Sequence, residues 1–295
     1  MPGHKLQRAM TTDERLIYEA RVRMRQAVVA GLAGVLLVVA AVVQISGPQT
    51  SVNELTLGLI TAHKRFPLDL IGAAINAVGL LAVAGTLSFL FGACRARNPK
   101  LQPYIRALAI VGGVLAALTG IVYAVVIAVK ANQFATHGSQ TYDEAKHLTS
   151  SGIFVAGPLL GEATSLVLAV GFVLTALNGL RIGLLTRFMG YLGMFAGVLF
   201  LLPLGPPGPV VQAYWLLALA YLLSGRWATG VPAAWRTGRA EKLPSTQELR
   251  EQRMKTAGGG RTKPAAPTPA PEAAITPSPR STRATTPKRK RKRRR

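Results

Sequence analysis

The stretch AVVAGLAGVLLVVAAVVQIS occupies residues 27–46 and contains no charged side chain. A helix needs about 20 predominantly apolar residues to cross the hydrocarbon core of a bilayer. The chain continues with five further apolar stretches, at 68–93, 105–129, 152–177, 188–204 and 209–224. They are too long and continuous for the strands of a membrane β-barrel, in which apolar and polar residues alternate. The sequence therefore predicts an all-α fold, a polytopic membrane bundle of six transmembrane helices.

The last two stretches are shorter than the others, and a Gly-Pro-Pro-Gly-Pro turn at 205–209 separates them. A re-entrant hairpin is therefore the alternative to two complete spans. In the third stretch, Gly112, Ala116 and Gly120 recur at four-residue spacing and place small side chains on one helix face. Such a face lets neighbouring helices approach closely, so the stretches are predicted to pack as a bundle.

Basic residues are concentrated before the first stretch and in every second gap between stretches. The second gap holds Arg95, Arg97 and Lys100, and the fourth holds two arginines. Short loops rich in Lys and Arg stay on the cytoplasmic side of a membrane. The pattern therefore predicts a multi-pass protein of the cell membrane with both termini in the cytoplasm. The basic pair at 64–65 is an exception, because it lies in a gap that is predicted to face outward.

The same pattern divides the chain into three regions. They are an N-terminal cytoplasmic helix over 1–26, a membrane domain over 27–226 and a cytoplasmic tail over 227–295. A capping box at 11–14 predicts that one helix begins at about Thr12 and continues into the first span without a break.

Two of the outward-facing gaps contain further helix signals. A capping box at 51–54 precedes apolar residues that recur at helical spacing up to Phe66. This predicts an amphipathic helix that lies on the outer membrane face or folds over the bundle. A similar signal at 141–144 predicts a helix that leads into the fourth span, and Pro158 is expected to kink that span.

The composition changes sharply after Trp227. A capping box at 245–248 predicts a short polar helix that ends at about residue 255. The residues from there to Pro287 are mostly Pro, Ala, Thr and Ser, which bury too little apolar surface to offset the entropy of ordering them. They predict a disordered tether. The chain then ends in eight consecutive basic residues, Lys288, Arg289, Lys290, Arg291, Lys292, Arg293, Arg294 and Arg295.

This terminal basic run contributes a large share of the formal net charge of +23. It has three interpretations: binding of anionic lipid headgroups, binding of nucleic acid or the ribosome through phosphates, or a solubilising tail that fixes topology. The tether keeps the run close to the bilayer, so anionic lipid is favoured over nucleic acid. The run contains no aromatic residue, which gives no basis for stacking on bases.

Glu162 is the only carboxylate well inside a predicted span. A charged residue at the bilayer centre costs about 2.5–3.5 kcal/mol on insertion scales and usually faces the bundle or a water-filled cavity. Gly157, Pro158 and Gly161 permit close helix contact or local unwinding beside it, so Glu162 is a candidate substrate or ion site. The alternative is a membrane register displaced toward Arg181, which places Glu162 at the outer headgroups.

Asn76 is the second candidate site residue, because it lies near the middle of the second predicted span. An amide at this depth commonly makes an interhelical hydrogen bond, worth about 0.6 kcal/mol on average. That structural role is the favoured interpretation of Asn76.

The sequence does not predict an enzyme. No predicted span contains a histidine, which excludes a haem held by histidines within the spans and a zinc site of the His-Glu-x-x-His kind. In the third gap, Asp143, Glu144 and His147 have a helical spacing that can contribute to a metal site. A site needs a further ligand, and His137 is the sole candidate near it in sequence. Neither a metal nor another cofactor is therefore predicted.

The segment GLRIGLLTRFMGYLGMFAG, residues 179–197, resembles a hairpin of uncharacterised bacterial multi-pass membrane families. In those families a helix ends, a short Gly-Leu-Leu-x-Arg turn follows and a Gly-rich helix begins. Here Thr186 stands where such turns often have proline. The resemblance implies the six-span architecture and no catalytic activity.

The favoured function is that of a non-enzymatic integral membrane protein. It would organise or partner other membrane proteins, with its tail on anionic lipid, because its spans contain few polar groups. The alternative is a small-solute or ion transporter in which Glu162 is the intramembrane site.

Overall fold

The computed structural model describes residues 12–46, 55–150, 152–202, 207–228, 230–241 and 254. Within them every secondary-structure element is a helix, so the predicted all-α class is confirmed. The helices are α1 Thr12–Ile45, α2 Leu55–Arg97, α3 Tyr104–His137, α4 Tyr142–Thr149, α5 Gly152–Ile182, α6 Arg187–Val198, α7 Pro207–Leu223 and α8 Ala233–Thr237. All of them lie within one compact unit that ends at Leu243.

Four of the described helices are long and apolar enough to cross a membrane: α2, α3, α5 and residues Leu16–Ile45 of α1. Helices α6 and α7 match the fifth and sixth apolar stretches but contain only 12 and 17 residues. At 1.5 Å per residue they are about 18 Å and 25 Å long, against a hydrocarbon core of about 30 Å. Length and composition therefore support a membrane crossing for four of the six predicted spans.

The outer faces of the long helices carry large apolar side chains. On α1 these side chains are 39% to 66% exposed and follow one another along a single face: Val28, Leu32, Val35, Val39 and Val42. Contiguous exposed apolar surface is uncommon on proteins in water and marks contact with a membrane or another protein. The fold thus buries one side of α1 and leaves an apolar surface on the other side.

The helices pack around a core that is continuous from α1 to α7. Helix α2 contacts α1 and α3, α3 contacts α5, α7 contacts α1, and α6 contacts both α5 and α7. Trp215 of α7 is fully buried, and its Nε1 donates a hydrogen bond to the Met189 carbonyl oxygen at 2.8 Å. The Phe172 ring lies 4.7 Å from the Trp215 ring, centroid to centroid. These contacts fasten the short α6–α7 hairpin to α5.

Helices α3 and α5 approach each other through a glycine on each helix. A Cβ atom at Gly112 would lie 2.7 Å from the Leu168 Cα atom, and one at Gly171 would lie 2.6 Å from the Ala109 nitrogen. Neither position has room for a larger residue, so the small side chains set the helix separation. A Cβ atom at Gly120 would have no neighbour within 4 Å. The small-residue face predicted for α3 is therefore in close contact at Gly112 but open at Gly120.

The amphipathic helix predicted to precede the second span is not a separate element. Helix α2 continues through Pro67 for 43 residues, a length of about 65 Å. Arg65 explains this continuity, because its Nε donates to Asp69 Oδ1 at 3.1 Å, across Pro67. Its Nη2 also donates to the Gln44 carbonyl oxygen at 2.9 Å. The first bond offsets part of what proline costs a helix, and the second satisfies a carbonyl at the end of α1.

The two ends of the bundle are distinct. The His137 end contains the start of α2, the end of α3 and α4, while the Arg97 end contains the end of α2 and α8. At the His137 end a separate small core consists of Leu59, Ala131, Phe134, Ala145 and Leu148. The Thr141 hydroxyl accepts from the Glu144 backbone N–H at 3.4 Å, which is the predicted cap of α4. The cap predicted at 51–54 lies outside the described residues.

Replacing Gly112 by alanine should lower the thermal stability of the purified protein in detergent micelles. The added Cβ atom would meet the Leu168 backbone, and overpacking of this kind costs about 1–3 kcal/mol. Gly120→Ala is the matched control, because it adds the same atom to the same helix in open space and gains helix propensity. Thermal unfolding followed by circular dichroism compares the two variants. Equal midpoints would contradict the close α3–α5 contact.

Candidate functional site

A cavity of about 220 Å³ lies inside the bundle, in the half nearer the His137 end. It touches Gln44 in the last turn of α1 and Gly208 in the first turn of α7. Its neutral polar side chains come from four helices and are Gln44, Asn76, Ser165 and Gln212. Its apolar walls are formed by Leu37, Ala40, Ala41, Leu80, Ala116, Leu168, Leu199, Phe200 and Leu202.

Three of the polar side chains at the cavity make no side-chain hydrogen bond to any described residue: Asn76, Ser165 and Gln212. Two polar side chains of α5 outside the cavity behave differently. Thr175 and Asn178 each donate to the carbonyl oxygen four residues earlier in α5, at 2.7 Å and 2.8 Å. Three hydrogen-bonding side chains thus face one cavity and have no partner among the described residues.

Gln212 is the most enclosed of these three groups, at 4% exposure. Its direction is set by the contact of α7 with α1, since a Cβ atom at Gly34 would lie 3.0 Å from the Ala213 carbonyl oxygen. With that contact on one side, the amide of Gln212 borders the cavity. Because this amide makes no hydrogen bond to a described residue, it is available to a bound molecule.

None of the described residues that line the cavity is ionisable. A charged group placed there would lose its hydration without gaining a counter-charge, which is strongly unfavourable. The cavity therefore suits an uncharged ligand.

The structure separates the two residues that the sequence offered as a substrate or ion site. Asn76 lines the cavity, whereas Glu162 does not line it and is exposed on the outer face of α5. Its neighbours Leu159 and Leu160 are 67% and 56% exposed, so this face of α5 turns away from the bundle. Glu162 also lies about 28 Å along the helix from Arg181, close to the thickness of a hydrocarbon core. That spacing fits the interfacial alternative for Glu162.

A second polar site lies at the Arg97 end, where Arg97 and Glu19 form a buried ion pair. Arg97 Nη2 lies 2.6 Å from Glu19 Oε2, and Nη1 lies 3.2 Å from Oε1. The two side chains are only 1% and 11% exposed. Arg97 also donates from Nε to the Ala234 carbonyl oxygen at 2.8 Å and from Nη1 to the Ala93 carbonyl oxygen at 2.9 Å. The bidentate pair and the two additional carbonyl acceptors offset the desolvation cost of the buried Arg97 guanidinium.

Trp235 of α8 covers this ion pair. Its ring centre lies 5.1 Å from Arg97 Cζ, within the range of a cation–π interaction, and the ring also stacks with that of Phe89. The indole Nε1 donates to the Leu184 carbonyl oxygen at 2.9 Å, and the Glu241 backbone N–H donates to the Ile182 carbonyl oxygen at 3.0 Å. The segment 230–241 is therefore bound to the turn between α5 and α6. We call Glu19, Arg97, Ala234 and Trp235 the Arg97 cluster.

The Arg97 cluster was not predicted from the sequence. Glu19 and Arg97 are far apart along the chain, and each fits an ordinary position near one end of a helix. Trp235 falls in the region predicted to be a tail, yet it is 5% exposed and belongs to the main core. The tryptophan itself could have indicated this contact, since a large aromatic side chain in a polar segment is usually buried against other residues.

The Asp-Glu-x-x-His group of the third gap lies on α4 at the His137 end. Its Glu144 carboxylate accepts hydrogen bonds from the Gln140 backbone N–H at 3.0 Å and from the Ser139 hydroxyl at 2.9 Å, so it closes the turn before α4. His137 Nδ1 lies 2.6 Å from the Thr136 hydroxyl. Among the described residues, no three His, Cys, Asp or Glu side chains are grouped so that they could hold a metal ion.

The predicted tail helix, apart from Met254, and the basic run at 288–295 lie outside the described residues. The helix–turn–helix predicted at 179–197 is present, because α5 ends at Ile182 and Thr186 caps α6 by accepting from the Met189 backbone N–H. Comparison of the chain with protein-family models, with curated proteins and with solved structures found no match. The resemblance to bacterial multi-pass families therefore stays a prediction.

Replacing Glu19 by glutamine should destabilise the Arg97 end, because it leaves the buried Arg97 charge unpaired at a cost of about 3–5 kcal/mol. Cys94, the only cysteine of the chain, provides the measurement, since it is fully buried in the core that also contains Trp235. Maleimide should label Cys94 faster in Glu19→Gln than in the unaltered protein.

The matched control is Glu162→Gln, which makes the same chemical change at an exposed position. It should leave the labelling rate of Cys94 unchanged. Equal labelling rates in both variants would show that the ion pair does not hold this end of the bundle together.

Proposed function

We propose that this protein is a non-enzymatic integral membrane protein that holds a basic tail at the cytoplasmic surface of the cell membrane, where the tail binds anionic lipid and the protein partners other membrane proteins. The observation that carries the proposal is the attachment of 230–241 to the Arg97 end through Trp235 and Glu241. Because this segment is bound to the helices, the residues that follow it start from a fixed point. Their proposed role rests on their basic sequence.

The surface around that fixed point is itself cationic. Exposed basic side chains at the Arg97 end come from α1, α3, α5, α8, the loop between α2 and α3, and the chain on both sides of α8: Arg21, Arg25, Lys100, Arg106, Arg181, Arg226, Arg236 and Arg239. Glu19 is neutralised by its buried pair with Arg97 and does not offset them. Such a surface supports contact with the anionic lipids of the cytoplasmic leaflet.

The proposed topology has six spans, with α6 and α7 completing the bundle beside α5 and α1. Two contacts at different positions along α1 support α7 as its neighbour, since Gly34 lies against Ala213 and Gly31 lies against Ala220. The positive-inside rule then assigns the Arg97 end to the cytoplasm. The start of α1 and the end of α8 both lie at this end.

The proposed tail binding is electrostatic and therefore has a characteristic size and salt dependence. Each Lys or Arg close to an anionic membrane surface contributes about 1 kcal/mol. The eight basic residues at 288–295 are sufficient for stable attachment, and the attraction weakens as the Debye length falls from about 10 Å at 0.1 M salt to about 3 Å at 1 M.

The alternative function, a transporter with Glu162 as its intramembrane site, rests on the sequence. Its geometric support is weak, because Glu162 is exposed on α5 and does not reach the cavity.

Replacing all eight residues at 288–295 by glutamine should weaken binding of the full protein to anionic vesicles. The protein is placed in nanodiscs of neutral lipid and mixed with vesicles that contain phosphatidylserine, and binding is measured by flotation at low and high salt. Binding should fall at least tenfold at low salt, and the salt dependence should largely disappear.

The control variant neutralises Lys130 and Lys146, which belong to the His137 end and should not contribute. Unchanged binding after the tail substitution would exclude the tail as the lipid contact. Binding to RNA but not to anionic vesicles would favour the nucleic-acid interpretation instead.

A further inference from the structure

We propose that the cavity between α1, α2, α5 and α7 binds an uncharged amphiphile. The ligand would have an apolar body and a small head that both donates and accepts hydrogen bonds, as in a monoacylglycerol or a long-chain alcohol. This assignment goes beyond the proposed function, because it does not involve the tail or the Arg97 end.

The polar groups at the cavity define the head of the ligand. Asn76, Ser165 and Gln212 come from three different helices, line one space and make no side-chain hydrogen bond to any described residue. An amide offers both donors and an acceptor, and a hydroxyl offers both as well. A head that contains hydroxyl and ester or ether groups can satisfy all three, which a purely apolar molecule cannot do.

The walls of the cavity define the body of the ligand. Leu37, Leu80 and Leu168 contribute hydrocarbon surface, as do the small side chains between them. The volume of about 220 Å³ would hold roughly seven water molecules at about 30 Å³ each, but water gains little from apolar walls. Apolar surface around a few convergent polar groups is the usual composition of a small-molecule site.

The opening of the cavity indicates how a longer molecule is accommodated. Gln44 and Leu202 line the cavity and are also exposed, so the space opens on the outside of the bundle. On the same helix as Gln44, the exposed side chain of Val42 continues the apolar stripe of α1. A head bound inside can thus leave its chain along the apolar exterior.

The absence of charge among the described lining residues excludes ionic heads. A phosphate, carboxylate or ammonium group would be desolvated there without a partner of opposite sign. The cavity should therefore discriminate between amphiphiles of the same chain length by the charge of the head. This discrimination distinguishes a bound ligand from lipid that merely adheres to the apolar exterior.

The experiment uses the full protein in nanodiscs and a photoactivatable long-chain alcohol with a diazirine in its chain. Labelled peptides are identified by mass spectrometry, and monoacylglycerol serves as the unlabelled competitor. The alkyl sulfate and the alkyl trimethylammonium with the same diazirine chain are the charged comparisons. Saturable labelling of peptides from α1, α2 and α7 by the alcohol, at least tenfold above the charged probes, is the expected result.

Three variants test the named residues. Gln212→Met and Asn76→Leu keep the side-chain volume close to the original but remove the amide, and each should weaken labelling about 5- to 10-fold. Ala41→Leu fills the cavity and should abolish labelling. Asn132→Leu is the control, because it makes the same exchange as Asn76→Leu at an exposed position outside the cavity.

Thermal stability separates a ligand-binding amide from a structural one. If Gln212 serves a ligand, Gln212→Met should leave the melting temperature of the ligand-free protein unchanged or raise it, because the change removes no side-chain hydrogen bond to a described residue. The proposal is overturned by the absence of saturable labelling, by equal labelling with the charged probes, or by labelling that survives Ala41→Leu. A marked loss of stability in Gln212→Met without loss of labelling would assign that amide to the fold.

Discussion

The exposed faces of the long helices are apolar, and the rest of the structure depends on this constraint. Exposing the apolar stripe from Val28 to Val42 on α1 to water would be unfavourable in free energy. In an apolar medium each polar group must find its partner within the protein. Thr175 and Asn178 do so on their own helix. Asn76, Ser165 and Gln212 make no such bond to a described residue and border the cavity, which makes it the candidate binding site.

Two arginines, one near each end of the bundle, bind several of its other polar groups. Arg65 donates to Asp69 and to the Gln44 carbonyl oxygen, which completes the end of α1 and holds α2 together across a proline. Arg97 donates to Glu19 and to the carbonyl oxygens of Ala93 and Ala234, which joins α1, α2 and α8. Each arginine combines a carboxylate with backbone carbonyls, so no guanidinium charge is buried without acceptors. At the Arg97 end this arrangement also attaches the segment 230–241 to the helices.

The parts of this fold that could be predicted are those that depend on local sequence. The length of the apolar stretches predicts the four long helices. Thr186 caps α6, as a Thr just before an apolar helix typically does. The errors arose where distant contacts outweigh local preference. The apolar spacing up to Phe66 predicts a separate amphipathic helix, but the hydrogen bond from Arg65 across Pro67 and the carbonyl acceptor on α1 accompany a continuous α2. The partners of Trp235 and the cavity beside Asn76 depend on which helices become neighbours, and one sequence without a packed structure does not supply that information.

The central claim is that lipid, and not water, surrounds the outer faces of the long helices. Single nitroxide labels at exposed positions of α1, in a protein whose only cysteine, Cys94, has been replaced by serine, test it most directly in vesicles. Oxygen, which concentrates in hydrocarbon, should reach labels at Leu32, Val35 and Val39 more readily than a water-soluble nickel chelate does. A label at the exposed Asn132 should show the opposite preference. Chelate access along α1 equal to that at Asn132 would contradict the account.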